Sequence, residues 1–126
     1  RHRLAARVDL LKAVSPPQLA ALYSAADVFV LASHFEGYGM AYAEAMAHGL
    51  PIIGTTGGAT VDTVPATAGV LVEPGNVEAL THALRMVIEN EEERRRLARG
   101  ALGAAADLPT WESTARIVAS ALERLA

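Results

Sequence analysis

The sequence predicts an α/β fold built on a doubly wound parallel sheet, and three observations carry that prediction. Short runs of strand length alternate with helical patterns along the chain. The runs "DVFVLAS" (27–33), "LPIIGT" (50–55) and "GVLVEP" (69–74) are apolar almost throughout rather than alternating, as in strands covered on both faces. Hydrophobic residues make up 52% of the chain and aromatic residues 5%, a profile suited to small-residue helices packed closely on a sheet. At 126 residues, a single domain spanning 1–126 is the natural expectation.

Taken in order, "RVDLLKAV" (7–14) reads as a first strand. "SPPQLAALYSAA" (15–26) reads as a helix, with Ser15 as N-cap, Pro16 at the first helical position and Gln18 closing a capping box. Leu19, Leu22, Tyr23 and Ala26 form its apolar face. The strand 27–33 follows, then a helix from about Gly39 to His48, ended by Gly49. After the strands 50–55 and 69–74, Asn76 caps a helix over 77–90 whose core stripe is Leu80, Leu84, Val87 and Ile88. "EEERRRLARGALGAAA" (91–106) is a further helix, with Glu91–Arg95 and Glu92–Arg96 as i,i+4 pairs on a solvated face. Pro109 breaks the chain and Thr110 caps a last helix, made amphipathic by Ile117, Val118, Ala121, Leu122 and Leu125. Trp111 is expected to anchor the start of that helix by packing.

Several function classes are excluded or disfavoured. A formal net charge of −3 gives no footprint for nucleic acid. The absence of cysteine removes disulfides and thiolate metal sites. The four histidines show no ligand spacing, so no metal is expected. No apolar run approaches the ~20 residues of a membrane helix. A nicotinamide-dependent oxidoreductase would want a glycine fingerprint after the first strand, and "RVDLLKAVSPP" has no glycine.

Open parallel sheets bind ligands at the carboxyl ends of their strands. "HFEGYGMAYAEAMAHG" (34–49) lies at such an end. A helix starting near Gly39 leaves the N–H groups of Gly39, Met40 and Ala41 without intrahelical partners, which suits a phosphate. Gly37 and Gly39 let the backbone approach closely. Glu44 then lies ~7 Å further along the helix axis, the distance from a diphosphate to the ribose hydroxyls of the same nucleotide. Glu36 stays in the loop, on the side where a sugar would project. "GTTGGATVDTV" (54–64) opens at the same edge, with Gly57 and Gly58 for close approach and Thr55, Thr56 and Thr60 as hydroxyl donors. The plain alternatives are a solvated Glu on a helix, and a turn before a short helix carrying Thr60 and Asp62.

The stretch "ADVFVLASHFEGYGMAYAEAMAHGLPIIGTTGGATVDTV" with "AGVLVEPGNVEALTHAL" resembles the C-terminal, donor-binding domain of retaining GT-B glycosyltransferases of group 1. The likeness rests on Glu, seven residues, then Glu (Glu36 and Glu44), the "PIIGT" strand, the double glycine and "GVLVEPG", and runs from about Arg7 to Leu125. It implies a Rossmann-like sheet forming one half of a GT-B fold. It implies a nucleotide-diphosphate sugar donor, linked to UDP, GDP or ADP, and transfer to a hydroxyl of an acceptor glycan or lipid-linked glycan. By resemblance Glu44 binds the ribose hydroxyls, Glu36 lies against the donor sugar as the catalytic candidate, and the backbone from Tyr38 to Ala41 contacts the diphosphate or sugar. No cofactor or metal is implied, and the setting implied is the cytoplasm, peripheral to the inner membrane. The sequence departs from the pattern in three places: Lys12 where Gly is frequent, Ala32 where Pro is usual, and Asp62 one residue later than the usual Glu. The Arg and Lys that neutralise the diphosphate lie upstream of the matched region in that family, and Arg1, Arg3 and Lys12 do not sit in their motif. The chain alone is therefore expected to be inactive, with a stand-alone nucleotide-binding or interaction module as the other reading. The last helix packs toward the other domain in that family, so exposed apolar surface and self-association are expected here.

Overall fold

The computed structural model describes residue 4 and residues 6–125. Arg1, His2 and Arg3 lie outside the described residues. Among those described, the elements run α1 (Pro16–Ala25), β1 (Phe29–Val30), α2 (Met40–Ala47), β2 (Ile52–Thr55), α3 (Thr60–Thr63), β3 (Gly69–Val72), α4 (Val77–Glu89), α5 (Glu91–Ala106) and α6 (Trp111–Glu123).

The strands form a parallel sheet in the order β1-β2-β3, with Phe29 opposite Ile52 and Ile53 opposite Val70. β2 is central and all four of its residues are buried. Successive side chains of a strand face opposite sides, and the two isoleucines show the consequence. Ile52 packs with Tyr42, Ala45 and Met46 of α2 and Ala101 of α5. Ile53 packs with Ala83 and Val87 of α4 and Leu97 of α5. Both faces of the sheet are thus covered, with α5 reaching both clusters. Each of these large side chains contributes on the order of 1.5–3 kcal/mol by burial.

The helix caps follow the sequence closely. The Ser15 N–H donates to Gln18 Oε1 at 2.9 Å, and Asn76 Oδ1 accepts from the Ala79 N–H at 2.9 Å. Gly49 follows α2 at φ 72°. Asn90 ends α4 and caps α5, its Oδ1 accepting from the Glu93 N–H.

Other expectations are corrected. The segment 7–14 forms no strand: among the described residues the ladders join β1 with β2 and β2 with β3, and 7–14 does not take the free edge of β1. Val8, Leu10 and Leu11 are exposed in consequence. β1 becomes an edge, shortened to two residues, with Val30 partly in solvent. The predicted face of α1 buries no residue fully; Leu19 and Leu22 stay exposed and Tyr23 is half-buried. In α4 the buried positions are Ala83 and Val87, and Ile88 points outward. On α5 the Glu91–Arg95 pair forms, whereas Arg96 pairs with Glu93, one turn position nearer than Glu92. Trp111 does not anchor α6: it is 92% exposed.

Candidate functional site

The site grows from the carboxyl ends of β1 and β2. The Leu31 N–H donates to the Ile53 carbonyl at 3.0 Å, and beyond it the chain leaves the sheet. Two side chains hold this exit in place. The Tyr42 hydroxyl donates to the Leu31 carbonyl at 2.7 Å, and the Thr55 hydroxyl donates to the Ser33 carbonyl. Ser33 in turn donates from Oγ to Glu36 Oε1 at 2.6 Å. A bond this short to a carboxylate is of the charge-assisted kind. One oxygen of the half-buried Glu36 is thereby engaged, and its orientation is set by the loop.

The Glu36 backbone is clamped as well. Its N–H donates to the Gly57 carbonyl at 3.3 Å, and its carbonyl accepts from the Ala59 N–H at 2.9 Å. A Cβ at Gly58, whose φ is 70°, would stand 2.1 Å from the Glu36 carbonyl oxygen; one at Gly57 would stand 2.2 Å from that of His34. The double glycine therefore lets the 54–60 loop press against the Glu36 loop. Thr60 Oγ1 donates to the Gly57 carbonyl at 3.0 Å, and Thr63 Oγ1 to that of Tyr38 at 2.6 Å. Of the threonines expected to offer free hydroxyls, Thr55 and Thr60 are used internally, and Thr56 alone is exposed.

Gly39 opens α2 at φ 82°, a left-handed conformation that costs L-residues roughly 1–2 kcal/mol. Its carbonyl accepts from the N–H groups of Tyr42 and Ala43. Among the described residues none accepts from the N–H groups of Gly39, Met40 or Ala41. These donors, with the positive end of the helix dipole, lie three to five residues after Glu36 in the chain. Gly37 and Tyr38 are exposed beside them, and a Cβ at Gly37 would meet nothing within 4 Å. Between Lys12 and Arg85 the chain has no Lys or Arg, so these segments offer an anion backbone N–H groups and polar side chains such as Thr56 in place of a Lys or Arg.

Glu44 stands on the exposed side of α2 toward α1. Its Oε2 accepts from the Tyr23 hydroxyl at 3.3 Å. Burial, and then the Glu44 carboxylate, push the Tyr23 phenol above its usual range; burial chiefly does the same to Tyr42. The structure thus brings Glu36, the start of α2, Gly57 and Gly58 together at one sheet edge. Glu44 sits one helical turn further on. Ser33 and Tyr23, which the sequence reading did not assign to the site, hold the two carboxylates. For Ser33 the available signal was a hydroxyl three residues before Glu36 in a loop.

Comparisons with known proteins show the family. The family model described as glycosyl transferases group 1 matches residues 1–102. The chain belongs to the group 1 glycosyltransferases. It is 38% identical over 110 residues to a D-inositol 3-phosphate glycosyltransferase of a Nocardioides species, covering 86% of this chain and 24% of that protein. It is 32% identical over 113 residues to an MMP alpha-(1->4)-mannosyltransferase of Mycolicibacterium hassiacum, covering 88% and 28%. The group 1 chain thus spans about a quarter of the length of these relatives. Sucrose-phosphate synthase from Thermosynechococcus elongatus superposes with a TM-score of 0.86 at 32% identity, covering 97% of this chain and 31% of that one. The C-terminal domain of a group 1 glycosyl transferase from Francisella tularensis gives 0.70 at 28% identity, covering 77% and 50%. The architecture is accordingly the C-terminal, Rossmann-like half of a GT-B fold.

Proposed function

We propose that this domain binds a nucleotide-diphosphate sugar, linked to UDP, GDP or ADP, for transfer of its hexosyl group to an acceptor hydroxyl with retention at the anomeric carbon. The observation that carries the reading is the pair of carboxylates flanking the unpartnered N–H groups at the start of α2. In this reading the N–H groups of Met40 and Ala41, with the Gly37–Gly39 backbone, take the diphosphate. Glu44 accepts from the ribose hydroxyls. Glu36, held by Ser33, faces the donor sugar and stabilises the positive charge that develops there as the diphosphate departs. The acceptor is a glycan or a lipid-linked glycan, and no metal takes part. The domain alone is inactive, because the segments around the site carry no cation for the diphosphate, and positioning an acceptor can itself be worth ~7–11 kcal/mol of barrier.

An NMR titration of the chain with UDP, GDP and ADP tests the reading. Shifts confined to residues 36–44 and 55–60, for one nucleotide, are the expected result. Glu44→Ala then weakens nucleotide binding to the level of a form without ribose hydroxyls, with the fold intact, whereas Glu36→Ala weakens the sugar-bearing donor and spares the free nucleotide. An unchanged affinity in Glu44→Ala sinks the ribose assignment. Equal weakening of donor and nucleotide in Glu36→Ala sinks the sugar assignment. The apolar residues exposed on α6, Ile117, Val118 and Leu122, support self-association as a further part of this proposal. Light scattering at high concentration would show a mass above that of the monomer; a monomer mass rejects it.

A further inference from the structure

We propose that Tyr23 is a positioning residue for Glu44: its hydroxyl holds the Glu44 carboxylate in the rotamer and plane in which the free oxygen meets vicinal hydroxyls of a nucleoside. The inference rests on the ribose reading of Glu44 given above and names the group that makes that contact geometrically selective.

Glu44 is exposed on a short helix and makes no ion pair among the described residues. A glutamate in that situation samples several rotamers. A cavity of about 270 Å³ separates α1 from α2 beside it, walled by Pro16, Leu19 and Ala20 on one side and Ala47 and His48 on the other. Apart from Tyr23 and Glu44 themselves, His48 is the polar side chain among those walls. The Tyr23 hydroxyl is the group that reaches Glu44, donating to Oε2 at 3.3 Å.

Tyr23 is itself fixed. Its ring stacks on His48 with centroids 5.1 Å apart and planes inclined by 22°, and packs against Phe29 at 5.9 Å. The two contacts come from the C-terminal end of α2 and the start of β1, so the ring cannot swing without disturbing both. The phenol is pushed above its usual range, first by burial and then by Glu44, so it remains a donor at neutral pH. The 3.3 Å contact draws Oε2 toward Tyr23 and leaves Oε1 for the ligand. A carboxylate biased at one oxygen by a packed donor presents the other with a preferred direction. That direction matters for two adjacent hydroxyls and not for a nucleotide that lacks them.

The test compares wild type, Tyr23→Phe and Glu44→Ala, titrated with UDP, GDP and ADP and with the 2′,3′-dideoxy form of whichever binds best. Tyr23→Phe keeps the ring and its stacking, so the fold is preserved. The expected result is that Tyr23→Phe weakens the ribonucleotide by about three- to ten-fold, the range of one hydrogen bond, and leaves the dideoxy form unchanged. Glu44→Ala removes the preference between the two forms altogether. If Glu44→Ala removes the preference and Tyr23→Phe binds both forms like wild type, the positioning role fails and the ribose reading stands. Equal weakening of both forms by Tyr23→Phe also overturns it, since that is what a merely structural role produces. A wild-type chain that does not distinguish the two forms, or binds none of the three nucleotides at millimolar concentration, overturns the ribose reading and the role of Tyr23 with it. A second readout needs no ligand: ring-carbon NMR of Tyr23 should show its titration moving to lower pH in Glu44→Gln. An unchanged Tyr23 titration means the two groups do not interact, and the proposal falls.

Discussion

Tyr42 and Trp111 both stand in the first turn of a helix, and the fold treats them in opposite ways. Tyr42, the third residue of α2, is wholly buried, with its ring edge-on to Phe29 at 5.9 Å and its hydroxyl on the Leu31 carbonyl. Trp111, the first residue of α6, is 92% exposed. Hydrophobicity does not separate them. Connectivity does: α2 joins two adjacent parallel strands, so the crossover lays it on the sheet. α6 follows Pro109 after α5, belongs to no strand crossover among the described residues, and is not extensively packed on any described element. An apolar stripe says which face of a helix seeks cover, and the order of strands decides whether cover is there.

The sharpest test of this contrast is Tyr42→Ala. It should cost about 3–5 kcal/mol, as for other large buried aromatic side chains, read from urea unfolding. Gly54 and Gly39 are fitted to the ring: a Cβ at either would come within 3 Å of it. The surroundings therefore collapse poorly into the space left behind. A loss under ~1 kcal/mol would mean that α2 is no better anchored than α6, and the contrast would dissolve.

Next in size is Gly58→Ala, which adds strain at φ 70° of about 1–3 kcal/mol to the overlap with the Glu36 carbonyl. The expected signature is lowered stability together with amide shifts over residues 34–38. Gly37→Ala is the control. It directly follows Glu36, but a Cβ there meets open space and its φ is not positive, so it should stay within about 0.5 kcal/mol of wild type. Equal effects at both glycines would show that the two loops are not pressed together.

Much of this was legible in the sequence, and the reasons are local. Ser15, Asn76, Thr110 and Gly49 mark helix ends through bonds that span three or four residues, so the sequence alone contains both partners. "LPIIGT" gave β2 because a strand central to a parallel sheet is apolar on both faces. Glu36, Glu44 and the glycines stood out by spacing. What was not legible depends on partners far along the chain. The segment 7–14 has strand-like residues yet joins no ladder, although one side of β1 is free. Arg96 chooses Glu93 over Glu92 by rotamer, a choice that i,i+3 and i,i+4 geometry leave nearly even. The bonds from Tyr23 to Glu44 and from Thr55 to Ser33 cross more than twenty residues, and no periodicity reports them.

A smaller effect is expected at Asn76→Ala. Asn76 caps α4 through a bond to Ala79 and is exposed, so its loss costs about 1 kcal/mol, most of it from the helix end and little from the core. Thermal unfolding followed by circular dichroism would show it. A cost as large as that of Tyr42→Ala would place the anchoring of α4 in its cap and not in Ala83 and Val87.

The smallest effect is expected at Trp111→Ala, within about 0.5 kcal/mol, because a side chain that touches little loses little when truncated. The measurement is urea unfolding at two protein concentrations well apart. A small, concentration-independent change agrees with a ring that stands in water. A cost above ~1 kcal/mol that grows with concentration would mean the ring is covered in solution. The cover would then come from a second copy of the chain, since a contact within one chain has no concentration dependence.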